Sequence, residues 1–277
     1  MYSPDRQMAL ETTISCLKDM EGYQDCQKTL IVDGDVNVVF EGWDYIRVPR
    51  VRGDFCWADM WEAGVASARH EKIIYLDSDR LLPPVFLPLM IESIKPKTFV
   101  FTSVHFVMLQ EIPIPQCKQL FETFEERGFA DEEFLGLVRY EPRFKDPVHG
   151  PGKNVMSGSV GFTKTDYYRL GGVDPWYQGH GAYADTDFHF TAQVGRCHFV
   201  DLQLPEFHFP HPKRAGDGKL GLMELRRMGL KNYIYYLHKW GLPMNLAENV
   251  AIECNLRRPA KYVEVVLKEI KEAAKEY

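Results

Sequence analysis

The chain has 277 residues, of which 45% are hydrophobic and 26% are charged, and these proportions are those of a globular protein that can bury a full core. Its formal net charge of −6 gives no general attraction for nucleic acid or for an anionic membrane surface, so neither is expected as a partner. No apolar run reaches the length of a membrane span, and the six scattered cysteines form no C-x-x-C pair, so we expect reduced thiols and a cytoplasmic protein.

The first half of the chain alternates predicted helices and strands. Helices are predicted around residues 10–17, 57–69 and 85–94, and strands at residues 28–32, 45–49, 72–76 and 99–107. Strands that alternate with helices predict parallel strand–helix–strand units, and therefore an α/β fold.

The second half is more helical. The pattern predicts helices at residues 116–127, 166–170, 222–240 and 259–277, a strand at 155–163, and a glycine-rich basic loop at 210–221. Gly171 and Gly172 are expected to end the short helix at 166–170. We expect one domain over residues 1–241 and a C-terminal helical extension over residues 242–277.

An acidic pair follows the predicted strand at 72–76, in the segment Asp77-Ser78-Asp79. An α/β sheet places its ligands beyond the carboxyl ends of its strands, where both carboxylates can converge on one cation. Oxygen ligands suit magnesium or manganese, and these ions keep positions open for substrate phosphates. Aspartate is also common in ordinary turns, and the pair alone leaves both interpretations open.

A second acidic pair, Asp185 and Asp187, precedes an apolar helical pattern. Carboxylates at a helix N-terminus are stabilised by the helix dipole, and this capping role explains well the presence of one of the two aspartates. A carboxylate that faces a bound hydroxyl is also suited to act as a general base.

Further along the chain, His208 and His211 lie close to Lys213 and Arg214. The pattern fits either structural histidines or a site in which imidazole completes a cation's shell and the basic residues bind phosphate.

These motifs occur in one order along the chain, with Gly171-Gly172-Val173-Asp174 leading to the second acidic pair and Lys239-Trp240-Gly241 after the histidines. The ordered set resembles the GT-A-fold nucleotide-sugar glycosyltransferases, close to the family 2 and galactosyltransferase-like groups. The resemblance covers roughly residues 1–241. It implies a Rossmann-like, mixed but mostly parallel central sheet flanked by helices.

The resemblance also implies roles for individual residues. The expected roles are Asp33 near the nucleotide base; Asp77 and Asp79 at the donor, with Asp79 a direct metal ligand; His208 or His211 as a further metal ligand; and Asp185 as the catalytic base. The expected cofactor is Mn²⁺ or Mg²⁺. The donor would be a nucleotide sugar, with UDP favoured over GDP, and the acceptor a glycan or another hydroxyl compound.

In this scheme, the sugar is transferred with inversion. Lys213 and Arg214 would contact the donor from their loop and exclude water. Trp176, Tyr177 and Asp187 would contact the acceptor, although the two aromatic rings are equally well explained by core packing.

The chain departs from the family pattern in two places. Ala184 occupies a position where the family commonly has glutamate, which removes one acceptor-binding carboxylate. The sequence also starts where the family's first strand would already have ended, so either that strand is missing or another segment replaces it. Two other functions stay open: a metal-dependent phosphohydrolase or nucleotidyltransferase, and a degenerate module that binds sugar or nucleotide without catalysis.

Overall fold

The computed structural model describes residues 7–33, 39–49, 57–106, 158–177, 183–208, 222–245 and 259–273. The α-helices in these ranges are α1 (Gln7–Lys18), α2 (Trp57–Ser67), α3 (Phe86–Ser93), α4 (Lys164–Arg169), α5 (Ala184–Val194), α6 (Leu222–Lys239) and α7 (Pro259–Ala273). The strands are β1 (Thr29–Asp33), β2 (Asp44–Val48), β3 (Lys72–Tyr75), β4 (Arg80–Leu81), β5 (Thr98–Phe106), β6 (Val160–Thr163) and β7 (His198–His208). The protein is therefore a mixed α/β protein, as predicted.

Most elements agree with the sequence-based boundaries, but β4 and β7 were not predicted. Strand β4 has only two residues and lies directly after the acidic turn. Strand β7 contains Pro205 and two acidic residues, Asp201 and Glu206, which interrupt the apolar pattern of a buried strand. The predicted helix at 116–127 and the loop at 210–221 lie outside the described residues.

Two sheets are present among the described residues. Strands β1 and β2 form a parallel pair, and the other five form a sheet in the order β3-β6-β5-β7-β4. Within the larger sheet only β5 and β7 are parallel, whereas the β3–β6, β5–β6 and β4–β7 pairs are antiparallel. The expectation of a mostly parallel central sheet is thus wrong for this sheet. Antiparallel neighbours need no crossover helix, so the alternation of helices and strands does not reveal them.

Helix α2 anchors an aromatic core on one face of the larger sheet. The Trp61 ring stacks on Tyr75 of β3 with ring centroids 4.1 Å apart, and on Phe162 of β6 at 5.7 Å. On the C-terminal side, α7 packs against α6 through Val263 and Val266.

No helix within the described ranges is long and apolar enough to cross a membrane.

Helix α4 begins and ends at residues that suit those positions. The Thr163 hydroxyl accepts a hydrogen bond from the Asp166 backbone N–H, which caps the N-terminus. The predicted stop is confirmed, because Gly171 and Gly172 adopt φ angles of +87° and +70° that favour glycine. The side chain of Asp166 is buried and accepts hydrogen bonds from the Lys97 backbone N–H, the Thr163 hydroxyl and Arg169.

Replacing Asp166 with alanine is expected to lower the free energy of unfolding by about 2–3 kcal/mol, since buried donors lose their acceptor. Burial alone would raise the pKa of Asp166, but the bonds from Thr163, Lys97 and Arg169 outweigh it and lower the pKa. Because the pKa of Asp166 is lower in the folded than in the unfolded protein, this carboxylate stabilises the fold at pH values above its unfolded pKa, near 4. The stabilisation is lost as the pH falls through the folded pKa. Urea denaturation should therefore show that Asp166→Ala has a lower free energy of unfolding than the wild type at pH 7. This difference between the two proteins should shrink below about pH 4.

The exposed Asp25 supplies the control for this measurement. Its replacement with alanine should change the unfolding free energy by less than about 0.5 kcal/mol. An Asp166→Ala protein as stable as the wild type at pH 7 would contradict the predicted role.

Candidate functional site

The first acidic pair and the distant His208 lie together at one end of the larger sheet. Strand β4 pairs with the end of β7, so that Arg80 lies opposite His208. This pairing places the Asp79 Oδ1 atom 3.5 Å from the His208 Nε2 atom. Asp79 is almost fully buried, and His208 keeps only a small exposed fraction. The sequence-based expectation that these two residues share a site is consistent with this contact.

A buried arginine lies at the centre of the same cluster. The Arg80 side chain is 2% exposed and donates a short hydrogen bond to Asp77 Oδ2. Its Nε atom lies 3.1 Å from Glu206 Oε1 and 3.7 Å from Asp79 Oδ1. Burial alone would lower the pKa of Arg80, but the carboxylates of Asp77, Glu206 and Asp79 outweigh it and raise the pKa. The guanidinium is therefore a fixed positive charge in the site.

The rest of the cluster is held in place by buried hydrogen bonds. The Thr102 hydroxyl donates to Glu206 Oε2 at 2.5 Å, and the Ser159 backbone N–H donates to the same oxygen at 3.3 Å. The Thr13 hydroxyl of α1 donates to the Arg80 carbonyl at 2.7 Å and accepts from the Arg80 backbone N–H at 2.9 Å. Helix α1 and strands β4, β5 and β7 thus fix the positions of the charged side chains together.

Sequence reasoning missed Arg80 and Glu206. A weak signal for Arg80 is its position between Asp79 and the apolar pair Leu81-Leu82, where a buried charge needs a partner. Glu206 precedes His208 by two residues, so both side chains lie on one face of the strand once β7 is recognised. The sequence pattern did not predict β7, and for that reason the shared face of Glu206 and His208 was not predicted either.

The four described side chains of this cluster carry more negative than positive formal charge. The side chains of Asp77, Asp79 and Glu206 carry three formal negative charges and Arg80 carries one positive charge, an excess of two negative charges. Two ligands bound at about 2.1 Å to one cation lie roughly 3–3.5 Å apart, so the 3.5 Å between Asp79 and His208 fits a shared ion. Oxygen and imidazole donors suit Mn²⁺, and water and substrate phosphate commonly supply the remaining ligands of such an ion.

Within the described ranges, no group of three or more His, Cys, Asp or Glu side chains is arranged to hold a metal ion. Asp79 and His208 are a pair of neighbouring side chains there, and their role as metal ligands stays a prediction. The predicted third candidate, His211, lies outside the described residues, as do the predicted donor-binding residues Lys213 and Arg214. For Asp33, only the backbone is described, as the last residue of β1 opposite Val48. The roles of these four residues stay predictions.

A cavity of about 890 Å³ opens beside the acidic cluster. Asp77, Ser78, Asp79 and His208 line this end of it. Its volume lies within the range of small-molecule binding sites, about 300–1,000 Å³. A ligand at this end of the cavity would therefore meet the predicted metal-binding side chains.

Asp185 lies in the first turn of α5, as predicted, and is half-buried. Its Oδ1 atom accepts a hydrogen bond from the Thr186 backbone N–H at 2.8 Å. Burial lowers the pKa of the nearby His189, and the negative charge of Asp185 partly offsets this effect. Asp185 is not among the described residues that line the cavity beside His208. Its role as a catalytic base stays a prediction.

Asp187 has a structural role, while its predicted contact with an acceptor stays a prediction. Its side chain is buried and accepts hydrogen bonds from Lys239 Nζ and Trp240 Nε1, both at 2.7 Å. The same lysine also donates to Asp174 Oδ2 at 2.8 Å. Burial alone would lower the pKa of Lys239, but its bonds to Asp174 and Asp187 outweigh it and raise the pKa. Asp187 therefore ties α5 to the end of α6.

Of the two aromatic residues predicted to contact an acceptor, Tyr177 is buried and Trp176 is partly buried. Tyr177 is fully buried, so its ring offers no face to a sugar. The Trp176 ring stacks on Tyr235 of α6 with centroids 4.1 Å apart, and Lys231 lies 5.2 Å from its centroid. Core packing, the alternative that the sequence left open, accounts for Tyr177, whereas the acceptor contact of Trp176 stays a prediction.

Comparison with known proteins adds no family assignment. No protein-family model matches the chain, and no curated protein is similar to it at a significant level. The functional interpretation therefore rests on the arrangement of the chain's own residues.

Proposed function

We propose that this protein is a metal-dependent glycosyltransferase that moves a sugar from a nucleotide diphosphate donor, with UDP-sugars favoured, to a hydroxyl acceptor. The observation that supports it most is the 3.5 Å contact between Asp79 and His208, which both line the cavity. A carboxylate and an imidazole at the ends of strands, with excess negative charge around them, suit a divalent cation that also binds a diphosphate.

Each group has a distinct part in this proposal. Asp79 and His208 would hold Mn²⁺ or Mg²⁺, which when bound neutralises negative charge on the departing diphosphate. Arg80 holds Asp77 and Glu206 in place, so the cluster is organised before substrate binds. Asp185 would take the proton of the acceptor hydroxyl as that oxygen attacks the anomeric carbon from the face opposite the leaving group. This geometry inverts the configuration.

The buried arginine also bears on the rival function of a phosphohydrolase. Many such enzymes use two metal ions about 3.5–4 Å apart, which requires several carboxylates free to bind metal. In this protein, Asp77 hydrogen-bonds to Arg80, and Glu206 accepts hydrogen bonds from Thr102 and Ser159. The described acidic residues thus favour one cation over two.

Calorimetric titration tests the donor site directly. UDP and GDP would each be added to the protein in the presence of Mn²⁺ and, separately, of EDTA. We expect UDP to bind with a dissociation constant in the micromolar range, about −8 kcal/mol, only when the metal is present. Equal binding in EDTA, or no binding of either nucleotide, would contradict the proposal. Metal-dependent binding without any sugar transfer would identify a non-catalytic module instead.

Replacing Asp185 with asparagine is expected to lower the rate of sugar transfer by about 10²–10⁴-fold, because the amide cannot accept the acceptor's proton. Donor binding should be unchanged. The asparagine oxygen can still accept the hydrogen bond from the Thr186 N–H, so the fold should be kept. Release of UDP from UDP-sugars with an acceptor panel measures the rate, and calorimetry measures donor affinity. Transfer at the wild-type rate would rule out Asp185 as the base.

A further inference from the structure

The carboxylate of Asp77 is held by both of its oxygens. The Tyr75 hydroxyl, at the end of β3, donates a hydrogen bond to Asp77 Oδ1 at 3.2 Å. Arg80 of β4 donates to the other oxygen, Oδ2. Asp77 itself lies in the turn between these two strands and is partly buried. Donors from two strands therefore fix the position of this carboxylate.

An aromatic stack fixes the position of the Tyr75 hydroxyl. The Tyr75 ring stacks on Trp61 of α2 with centroids 4.1 Å apart, and its centroid lies 5.6 Å from that of Trp57 in the same helix. The backbone of Tyr75 is paired with Val160 of β6. A ring with packed neighbours and a paired backbone has little freedom left to lose when its hydroxyl forms a hydrogen bond. The hydroxyl is therefore in place before any ligand binds.

The Tyr75 hydroxyl keeps its proton near neutral pH. Burial, and after it the negative charge of Asp77, raise the pKa of Tyr75 well above its ordinary value near 10. A protonated phenol can donate to an ionised carboxylate, which only accepts hydrogen bonds. A hydrogen bond to a charged acceptor is also stronger than one between neutral groups. The bond from Tyr75 therefore stabilises Asp77 in its charged form.

The charged Asp77 in turn influences which carboxylates the Arg80 guanidinium contacts. One end of the guanidinium bonds to Asp77, and the Nε atom lies 3.1 Å from Glu206 Oε1. Asp79 Oδ1 is farther from the same Nε atom, at 3.7 Å. If Asp77 moved away, the guanidinium would move closer to Asp79, because a buried charge without its partner costs free energy. Its positive charge would then compete with a cation for Asp79.

On the basis of the transferase function proposed above, we propose that Tyr75 is a positioning residue of the metal site. Its hydroxyl holds Asp77, Asp77 holds Arg80, and Asp79 thereby stays available to the cation. Neither Tyr75 nor Asp77 needs to touch the metal ion in this arrangement. Residues that orient a metal site from outside its ligand set commonly change metal affinity by about 10–100-fold when they are replaced.

Replacing Tyr75 with phenylalanine removes the hydroxyl and keeps the ring that stacks on Trp61. We expect Tyr75→Phe to bind Mn²⁺ about tenfold more weakly than the wild type. Electron paramagnetic resonance of the free Mn²⁺ ion, titrated with the whole protein, measures this affinity without nucleotide, acceptor or turnover. Urea denaturation of the same variant checks that the fold is kept.

Tyr167→Phe provides the matched control. Tyr167 belongs to the same aromatic core, and its ring stacks on Trp61 with centroids 6.4 Å apart. Its hydroxyl accepts a hydrogen bond from the Val173 backbone N–H at 3.3 Å. The substitution therefore removes a hydroxyl from the same core without changing the bond to Asp77, and Mn²⁺ affinity should match that of the wild type. An equal loss in both tyrosine variants would overturn the proposal, since the loss would then come from the core in general.

A double-mutant cycle tests whether Tyr75 acts through Asp77. Asp77→Ala removes the acceptor, so Tyr75→Phe should cost no further Mn²⁺ affinity in that background. A loss of about tenfold in both backgrounds would overturn the proposal, as would wild-type affinity in Tyr75→Phe alone. Mn²⁺ binding lost as completely in Asp77→Ala as in Asp79→Asn would overturn it too, because Asp77 would then be a metal ligand.

The wild-type titration separates this proposal from the function on which it rests. A wild-type protein that binds no Mn²⁺ would overturn the proposed function, and the role of Tyr75 with it. Mn²⁺ binding by the wild type that Tyr75→Phe leaves unchanged would overturn the role of Tyr75 alone.

Discussion

An Asp79→Asn protein is expected to bind UDP in the presence of Mn²⁺ at least about 100-fold more weakly than the wild type, a loss of about 2.7 kcal/mol. The asparagine keeps the size of the side chain but removes the negative charge that lies 3.5 Å from His208 Nε2. A hard cation binds a neutral amide oxygen more weakly than a carboxylate, so the metal and the diphosphate it holds should both be lost. Calorimetric titration in Mn²⁺ and in EDTA measures the difference.

Asp201 supplies the matched control, because it lies on the same strand as His208 but seven residues earlier. Its Oδ1 atom accepts a hydrogen bond from the Gln203 backbone N–H, a bond that asparagine can keep. Asp201→Asn should therefore bind UDP like the wild type. Urea denaturation of both variants checks that the fold is kept. Metal-dependent UDP binding of wild-type strength by Asp79→Asn would end the assignment of Asp79 as a metal ligand.

Replacing Arg80 with methionine is expected to lower the free energy of unfolding by about 3–5 kcal/mol. The substitution keeps an unbranched aliphatic stem but leaves the carboxylates of Asp77, Asp79 and Glu206 without their buried counter-charge. Like charges in a buried cluster repel each other, and Glu206 is fully buried. Urea denaturation measures the loss.

Manganese should restore part of this stability, because a cation can replace the missing positive charge. A metal at 100 times its dissociation constant adds about 2.7 kcal/mol to the folded state. Arg80→Lys, which keeps the charge but not the planar geometry, should lose less stability than Arg80→Met. Arg69, whose side chain is 68% exposed, provides the control, and its replacement with methionine should change stability by less than about 0.5 kcal/mol. A loss below about 1 kcal/mol for Arg80→Met would show that the cluster does not depend on this arginine.

The sequence alone determined the local structure well. Apolar periodicity located the helices and most of the strands, because burial on one face imposes the helical or the strand repeat on the chain. It also placed Asp77 and Asp79 at the end of β3, and Asp185 in the first turn of α5. These positions follow from short segments whose patterns are complete within a few residues.

Strand pairing was beyond the sequence, because pairs such as β5–β7 and β4–β7 join segments about a hundred residues or more apart. The antiparallel position of β6 and the strand character of β7 are decided by hydrogen bonds between strands. The mostly parallel sheet that the alternation of elements predicted is therefore wrong for the larger sheet. Local patterns carry no information about which edges meet.

Side-chain roles divide in the same way. The sequence indicated that Asp79 and His208 are capable of binding a metal ion, but only the β4–β7 pairing brings them to 3.5 Å. It assigned Asp187, Trp176 and Tyr177 to an acceptor, whereas the packing of α5 and α6 buries Asp187 against Lys239 and Trp240. The tertiary structure also revealed Arg80 among three carboxylates. Burial and pairing depend on the whole fold, and for that reason the sequence indicated candidate residue types while only the tertiary structure decided their geometry.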